Sequence, residues 1–336
     1  MTVSKDLDKS VYLARYAPIL AFHPRERYYP LSVPAFVAKA ELRLLNRELR
    51  SKSPKLTHDV LYPPGAATIE HIVNASRVHP IRKLQLQASK ENRAGVEPSK
   101  LDETPLYAVV KDIADKHGNT QAIEINYFFF CAFNSPYYIV GKGFGGHVGD
   151  FEHVTVRLCP DGRLQGVYYN AHRNIDGNWV PAKKVRLLEG RPLVYVARDH
   201  HGCYPSPGIK LRIFGLANDF CSGAGPKWRP RKIIRLEPHK EGACPSRGSM
   251  LSKPRQQEDE TPKNMNRGNL LIEMDREGAG VQIRNDEDGW GKYQGYWGTI
   301  ANATAQDWYK NAEHPVSRGW FKRLFCPCLS APFSIA

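Results

Sequence analysis

Residues 122–133, AIEINYFFFCAF, and residues 151–158, FEHVTVRL, decide the fold class. In the second stretch Val154, Val156 and Leu158 alternate with Thr155 and Arg157, the period of a strand with one buried face. Working outward, residues 106–114 (LYAVVKDIA), 166–172 (GVYYNAH) and 191–199 (RPLVYVARD) read as further short strands. Asp-Gly turns in DGRLQG (161–166) and NIDGNW (174–179) punctuate them. A series of short strands with turns between them predicts a mainly β fold, an antiparallel β-sandwich.

Upstream, residues 12–34 carry prolines and aromatics and predict an extended, packed entry strand with a turn. Residues 35–52, AFVAKAELRLLNRELRSK, place Ala and Leu at helical spacing and predict a basic amphipathic helix, so the sandwich carries an N-terminal helical excursion. Residues 51–103 are polar and basic and read as an irregular excursion with a short helix near 69–76. Residues 239–268 hold almost no large apolar side chain and predict a disordered insertion. Structure is expected to resume at NLLIEM (269–274) and WGKYQGYWG (290–298). The whole chain, 1–336, is read as a single domain.

The balance of 48 Lys and Arg against 34 Asp and Glu gives a formal charge of +14. That charge suits an anionic membrane surface or an acidic ligand, or is spread over solvated loops. The basic residues form no single stripe and accompany no nucleic-acid motif, which argues against nucleic acid as a partner. Seven irregularly spaced cysteines without a CxxC pair, and no apolar leader or span, predict a cytoplasmic protein with free thiols. The tail, residues 315–336, combines Trp320, Phe321, Leu324 and Phe325 with Arg318, Lys322 and Arg323. It reads either as a frayed or docked terminus or as an interfacial segment in which Cys326 and Cys328 would be acylated, peripheral on endomembranes.

The most unusual stretch is GKGFGGHVGDFEHVTVRL (141–158). Four glycines precede His147, Asp150, Glu152 and His153, which lead straight into the apolar strand. On a regular strand Asp150 and Glu152 share one face, while Phe151 and His153 share the other. Two neighbouring carboxylates repel unless a cation or a shared proton intervenes, and His147 is placed to swing over them from the loop. Carboxylate and imidazole together suit a divalent cation, Mg, Ca, Mn or Zn. A polar strand end satisfied by backbone and solvent is the plainer reading of any one of these residues; four packed together favour a site. His172 and the run Asp199, His200, His201 stand at other strand ends and are candidate neighbours.

GGHVGDFEHVTVRL, YYNAHRNIDGNWV, PLVYVARDHHGCYPSPG, GLANDF and GYWG, with the opening APILAFHPRERYYPLSV, resemble the Vps62 family of fungal and plant proteins, named for vacuolar protein sorting. Members usually carry Trp where this chain has Phe151. They show a Ser-His-Ala-Ser-Tyr run where it reads HHGCY, which matches His201 rather than His200. Locally, residues 146–152 are similar to the GHRHDWE heptapeptide of necrosis-inducing toxin-like proteins, with Gly149 in place of the second His. In that family the first His, the Asp and the Glu help hold a divalent cation on a β-sandwich that engages glycosylated sphingolipid. The resemblance therefore implies His147, Asp150 and Glu152 as ligands; those toxins are secreted and disulfide-bonded, which this chain is not expected to be.

Three functions follow as expectations. The first is a metal-bearing module that binds a lipid or glycan head group at endomembranes in vacuolar sorting. The second is a metal-dependent hydrolase or a tailoring enzyme of fungal secondary metabolism, with His153 or His201 as base. The third is a non-catalytic sorting adaptor in which the cluster only stabilises the fold.

Overall fold

The computed structural model describes residues 5–45, 58–79, 84–139, 141–171, 177–212, 215–236, 269–274, 281–286 and 296–297. The entry begins with helix α1 (Lys5–Arg15) and strand β1 (Ile19–Ala21). Ser32 then starts α2 (Val33–Lys39): its hydroxyl accepts from the Ala35 N–H, and a proline occupies the first turn. The expected long helix over 35–52 is corrected here. The helix stops at Lys39, and ELRLL forms β2 (Glu41–Leu45). The physical reason is pairing on both edges, with β3 (His58–Tyr62) on one side and β4 (Leu84–Gln87) on the other, which outweighs a weak helical propensity. Between β3 and β4 lies α3 (Ile69–Val78), capped by Thr68 through the His71 N–H. The 51–103 stretch, read as irregular with a short helix near 69–76, has that helix as α3 and adds two strands, β3 and β4, to the packed structure.

The long strands follow: β5 (Leu106–Ala114) and β6 (Thr120–Asn134), then the small hairpin β7 (Tyr137–Ile139) and β8 (Lys142–Phe144). Next come β9 (His147–Leu158), β10 (Leu164–Tyr169), β11 (Asn178–Pro181) and β12 (Leu187–Leu188). They lead to β13 (Arg191–Val196) and β14 (Cys203–Tyr204), then to a second hairpin, β15 (Gly208–Lys210) and β16 (Asp219–Cys221). The last are β17 (Lys227–Trp228), β18 (Lys232–Leu236), β19 (Asn269–Met274), β20 (Val281–Asp286) and β21 (Tyr296–Trp297).

The principal sheet has the order β11-β10-β9-β6-β5-β18-β19-β20. A second sheet runs β12-β13-β1-β17 with β14 on β13, and a third runs β21-β4-β2-β3. The mainly β class and the N-terminal helix are as expected. Each of these sheets is mixed rather than purely antiparallel, because β5 and β18, β1 and β13, and β4 and β21 pair in parallel.

The principal sheet is buried on both faces, which explains why β6 reads as an unbroken apolar run. Ile125, Tyr127, Phe129 and Cys131 join Val154, Val156 and Trp228 in a first core, under β1 and β13. Phe128, Phe130 and Ala132 join Phe151, Phe36 of α2, Leu42, Leu84 and Trp297 in a second core, under the third sheet. Each of these buried aromatics contributes on the order of 2–3 kcal/mol by leaving water. Of the sequence segments read above, residues 239–268, His172 and the tail with Cys326 and Cys328 lie outside the described residues.

Candidate functional site

β9 enters the principal sheet through an irregularity that assembles the site. Gly149 has φ +72°, in the left-handed region, while the ladder with β6 keeps one register on either side of it, Phe133 opposite Val148 and Cys131 opposite Asp150. Beyond it the alternation is regular, so Asp150 and Glu152 continue the face of Val154 and Val156. Across it the phase reverses: Val148 and Phe151, three apart, both pack in the second core. His147 and Asp150 are therefore brought to the same side, and His147 is the first residue of β9 rather than part of a swinging loop. A regular strand would have separated them.

Asp150 is the hub. One carboxylate oxygen lies 3.1 Å from His147 Nε2 and the other 2.8 Å from His201 Nδ1. His201 reaches in from the turn after β13, and its Nε2 lies 3.6 Å from a Glu26 oxygen. Glu26, in the turn after β1, also accepts from the backbone N–H groups of Arg27, Tyr28 and Asp199. His147 Nδ1 donates to the Gly145 carbonyl at 2.9 Å. Asn134, the cross-strand neighbour of His147, accepts from His200 at 3.3 Å.

Glu26, His147, Asp150, Glu152 and His201 are all buried, His201 completely, while His200 is half-buried. Burial alone would raise the Asp150 pKa, but the charges and hydrogen bonds of His147 and His201 hold it well below the usual range. Glu26 follows the same logic, with His201 overcoming desolvation. Burial would lower His201, yet Cys131, Asp150 and Glu26 keep it raised well above 6.5. Glu152 goes the other way: desolvation pushes it up, and the neighbouring Asp150 charge adds to the push. Its Oε2 and the Asn170 Oδ1 are buried without a hydrogen-bond partner, as is His201 Nε2. The polar residues further along β9 are paired instead: Thr155 donates to Asn126, and Arg157 holds Glu124 across the ladder.

The turn that supplies His201 is strained. Asp199 and His201 both have positive φ, 63° and 58°, which side-chain-bearing residues seldom adopt. Asp199 is fixed there by two contacts from the Arg27 guanidinium and by its own N–H on Glu26. These contacts hold the strained turn in place, and with it His201 against Asp150.

The structure thus places His147, Asp150 and Glu152 on one face, with His201, Asp199 and His200 beside them. His153 lies on the opposite face with Phe151, away from Asp150. Glu26, Asn134 and Asn170 are members that the sequence reading did not name. Glu26 carried one faint signal, a lone acid among the bases of HPRER immediately after an apolar run. Among the described residues no three His, Cys, Asp or Glu side chains are arranged around a metal position as they stand. No helix among them is long and apolar enough to cross a membrane.

Comparisons bear on this geometry. The chain is 26% identical over 258 residues to vacuolar protein sorting-associated protein 62 of Saccharomyces cerevisiae, covering 65% of this chain and 51% of that protein. It is 26% identical over 251 residues to the putative vacuolar protein sorting-associated protein TDA6 of the same yeast, covering 65% and 52%. The chain spans about half the length of these relatives. Two solved structures are similar at a low level. One is titled "Toxin fold for microbial attack and plant defense" (TM-score 0.32, 15% identity, 69% of this chain and 74% of that one). The other is titled "NLPPya in complex with mannosamine" (TM-score 0.29, 13% identity, 67% and 71%). Likenesses this distant carry no argument about the site. The family model for vacuolar protein sorting-associated protein 62 matches residues 6–220, a span that contains every residue of the centre, and the chain belongs to the Vps62 family.

Proposed function

We propose that this chain is a binding module with a vacuolar sorting-related role, peripheral on endomembranes, and that its centre takes a divalent cation and through it a polar lipid or glycan head group. The names of the yeast relatives support the sorting role. The observation that carries the site reading is the burial of Asp150 and Glu152 on one face, with a Glu152 oxygen left without a hydrogen-bond donor. Two buried carboxylates on one strand face favour a cation or a proton between them.

The residue types suit that role. His147 gives its Nδ1 hydrogen to Gly145, the backbone contact that orients a metal-binding imidazole and leaves Nε2 as the ligand atom. A neutral ring so held would aim a lone pair at an Asp150 oxygen 3.1 Å away, so the pair calls for either a second proton or a cation. His147, Asp150 and Glu152 would be the ligands, while His201 and Glu26 fix the second Asp150 oxygen. A bound cation would supply positive charge to coordinate head-group oxygens. Oxygen-rich ligands with one imidazole suit Mg, Ca, Mn or Zn.

The test is metal analysis of the purified full chain beside Asp150→Ala and Glu152→Ala. The expected result is a retained divalent ion in the parent only, with a melting temperature that chelator lowers. Absence of metal from all three, with melting unchanged by chelator, would overturn the reading.

A further inference from the structure

We infer that the two hairpins beside the centre, β7–β8 and β15–β16, form a surface that inserts into an anionic bilayer. Among the described residues ten large apolar side chains are exposed, and six belong to these hairpins and the turn of the second: Tyr138, Phe144, Ile209, Leu211, Leu216 and Phe220. Leu211 is 77% exposed and Tyr138 72%. Ile209 and Phe220 are direct cross-strand partners, so they share one face of β15–β16 and present it to solvent as a pair. A concentration of this kind marks an interaction surface, whereas scattered exposed residues do not.

The hairpins are tied to each other and to the centre. The Tyr137 hydroxyl donates to Asp219 at 2.5 Å and accepts from Arg212 at 2.9 Å, joining β7 to β16. Tyr204 donates to the other Asp219 oxygen at 2.6 Å. The Tyr137 ring stacks on His200 with centroids 3.8 Å apart, and His200 donates to Asn134 beside His147. The two hairpins are thus braced against each other beside the centre, and they carry the apolar side chains with them.

Charge selects the occupant. Residues 137–144 and 203–221 contain Lys142, Lys210 and Arg212, and their only acid, Asp219, is fully buried under the tyrosines. An apolar surface edged by cations without an exposed acid matches an anionic lipid–water interface, where aliphatic side chains enter the acyl boundary and lysines meet the head groups. This surface rests on the head-group reading for its purpose but not for its chemistry, since neither the apolar nor the basic residues depend on a cation in the centre.

The experiment is sedimentation of the full chain with vesicles of phosphatidylcholine alone or of phosphatidylcholine with phosphatidylserine, in chelator. The parent is expected to bind the phosphatidylserine vesicles preferentially. Leu211→Asp with Leu216→Asp should weaken that binding about tenfold or more. Lys142→Glu and Lys210→Glu should each weaken it about fivefold and reduce the preference for phosphatidylserine. All four positions are solvent-facing or half-exposed, so unchanged melting curves confirm folded variants. Leu211→Asp with Leu216→Asp is expected to retain metal as the parent does while losing vesicle binding, which separates failure of this surface from failure of the centre. Absence of parent binding to either vesicle, or equal binding by the leucine variant, would overturn the inference.

Discussion

Asp150 joins two imidazoles, and its removal is the most costly single change expected in the centre. Asp150→Asn leaves His201 buried between a neutral amide and Glu26, and breaking one partner of a buried pair costs about 3–5 kcal/mol. Urea denaturation measures that loss. The titrating groups give opposite signs with pH. His201, raised above 6.5, contributes stability that is full below that value and is lost as pH rises through its folded pKa. Asp150, held below 3.8, contributes stability that is present above that value and is lost as pH falls through its folded pKa. Glu152 is raised above 4.5, so keeping it ionised costs stability as pH climbs beyond 4.5. In chelator, Glu152→Gln is therefore expected to melt higher at neutral pH, by about 2–4 °C per kcal/mol relieved. Lower melting at neutral pH would show that the carboxylate is already stabilised by the protein alone.

The kink in β9 belongs to the scale of the element. Gly149→Ala forces a side chain into the left-handed region, and the expected destabilisation is about 1–2 kcal/mol, read by urea denaturation. The same change should weaken cation retention, because the phase reversal at Gly149 is what sets His147 beside Asp150. Asp150 and Glu152 were legible as a pair from strand period alone. His147 was legible as a candidate but not as a strand residue, since a regular ladder would turn it to the other face. Glu26 was barely legible, as a lone acid among bases, because it arrives from the turn after β1 through a parallel pairing that no local pattern announces. The helix expected over 35–52 failed for a related reason: Leu42 with Leu45 suits a helix face, Leu42 with Leu44 suits a strand face, and β3 and β4 decide between them.

At the scale of the molecule, the principal sheet is held between two cores, and Phe151 links the second core to the site by sitting between Asp150 and Glu152. Trp297 of β21, fully buried, packs on Phe130 and Phe151 with centroids 6.1 and 5.8 Å away. Trp297→Ala is expected to cost about 3–5 kcal/mol and to loosen β21 from β4, measurable as faster hydrogen exchange in residues 84–87. The strands of the principal sheet from β5 to β10 could be read from alternation and turns. The third sheet could not, because its strands are short, polar on one face and contributed from opposite ends of the described chain. The central claim is that His147, Asp150 and Glu152 hold a divalent cation, and manganese titration followed by electron paramagnetic resonance tests it most directly. The full chain is expected to deplete the free-ion signal saturably, and Glu152→Gln and Asp150→Asn to leave it undiminished; a parent protein that leaves the free-manganese signal as it is in buffer would contradict the claim.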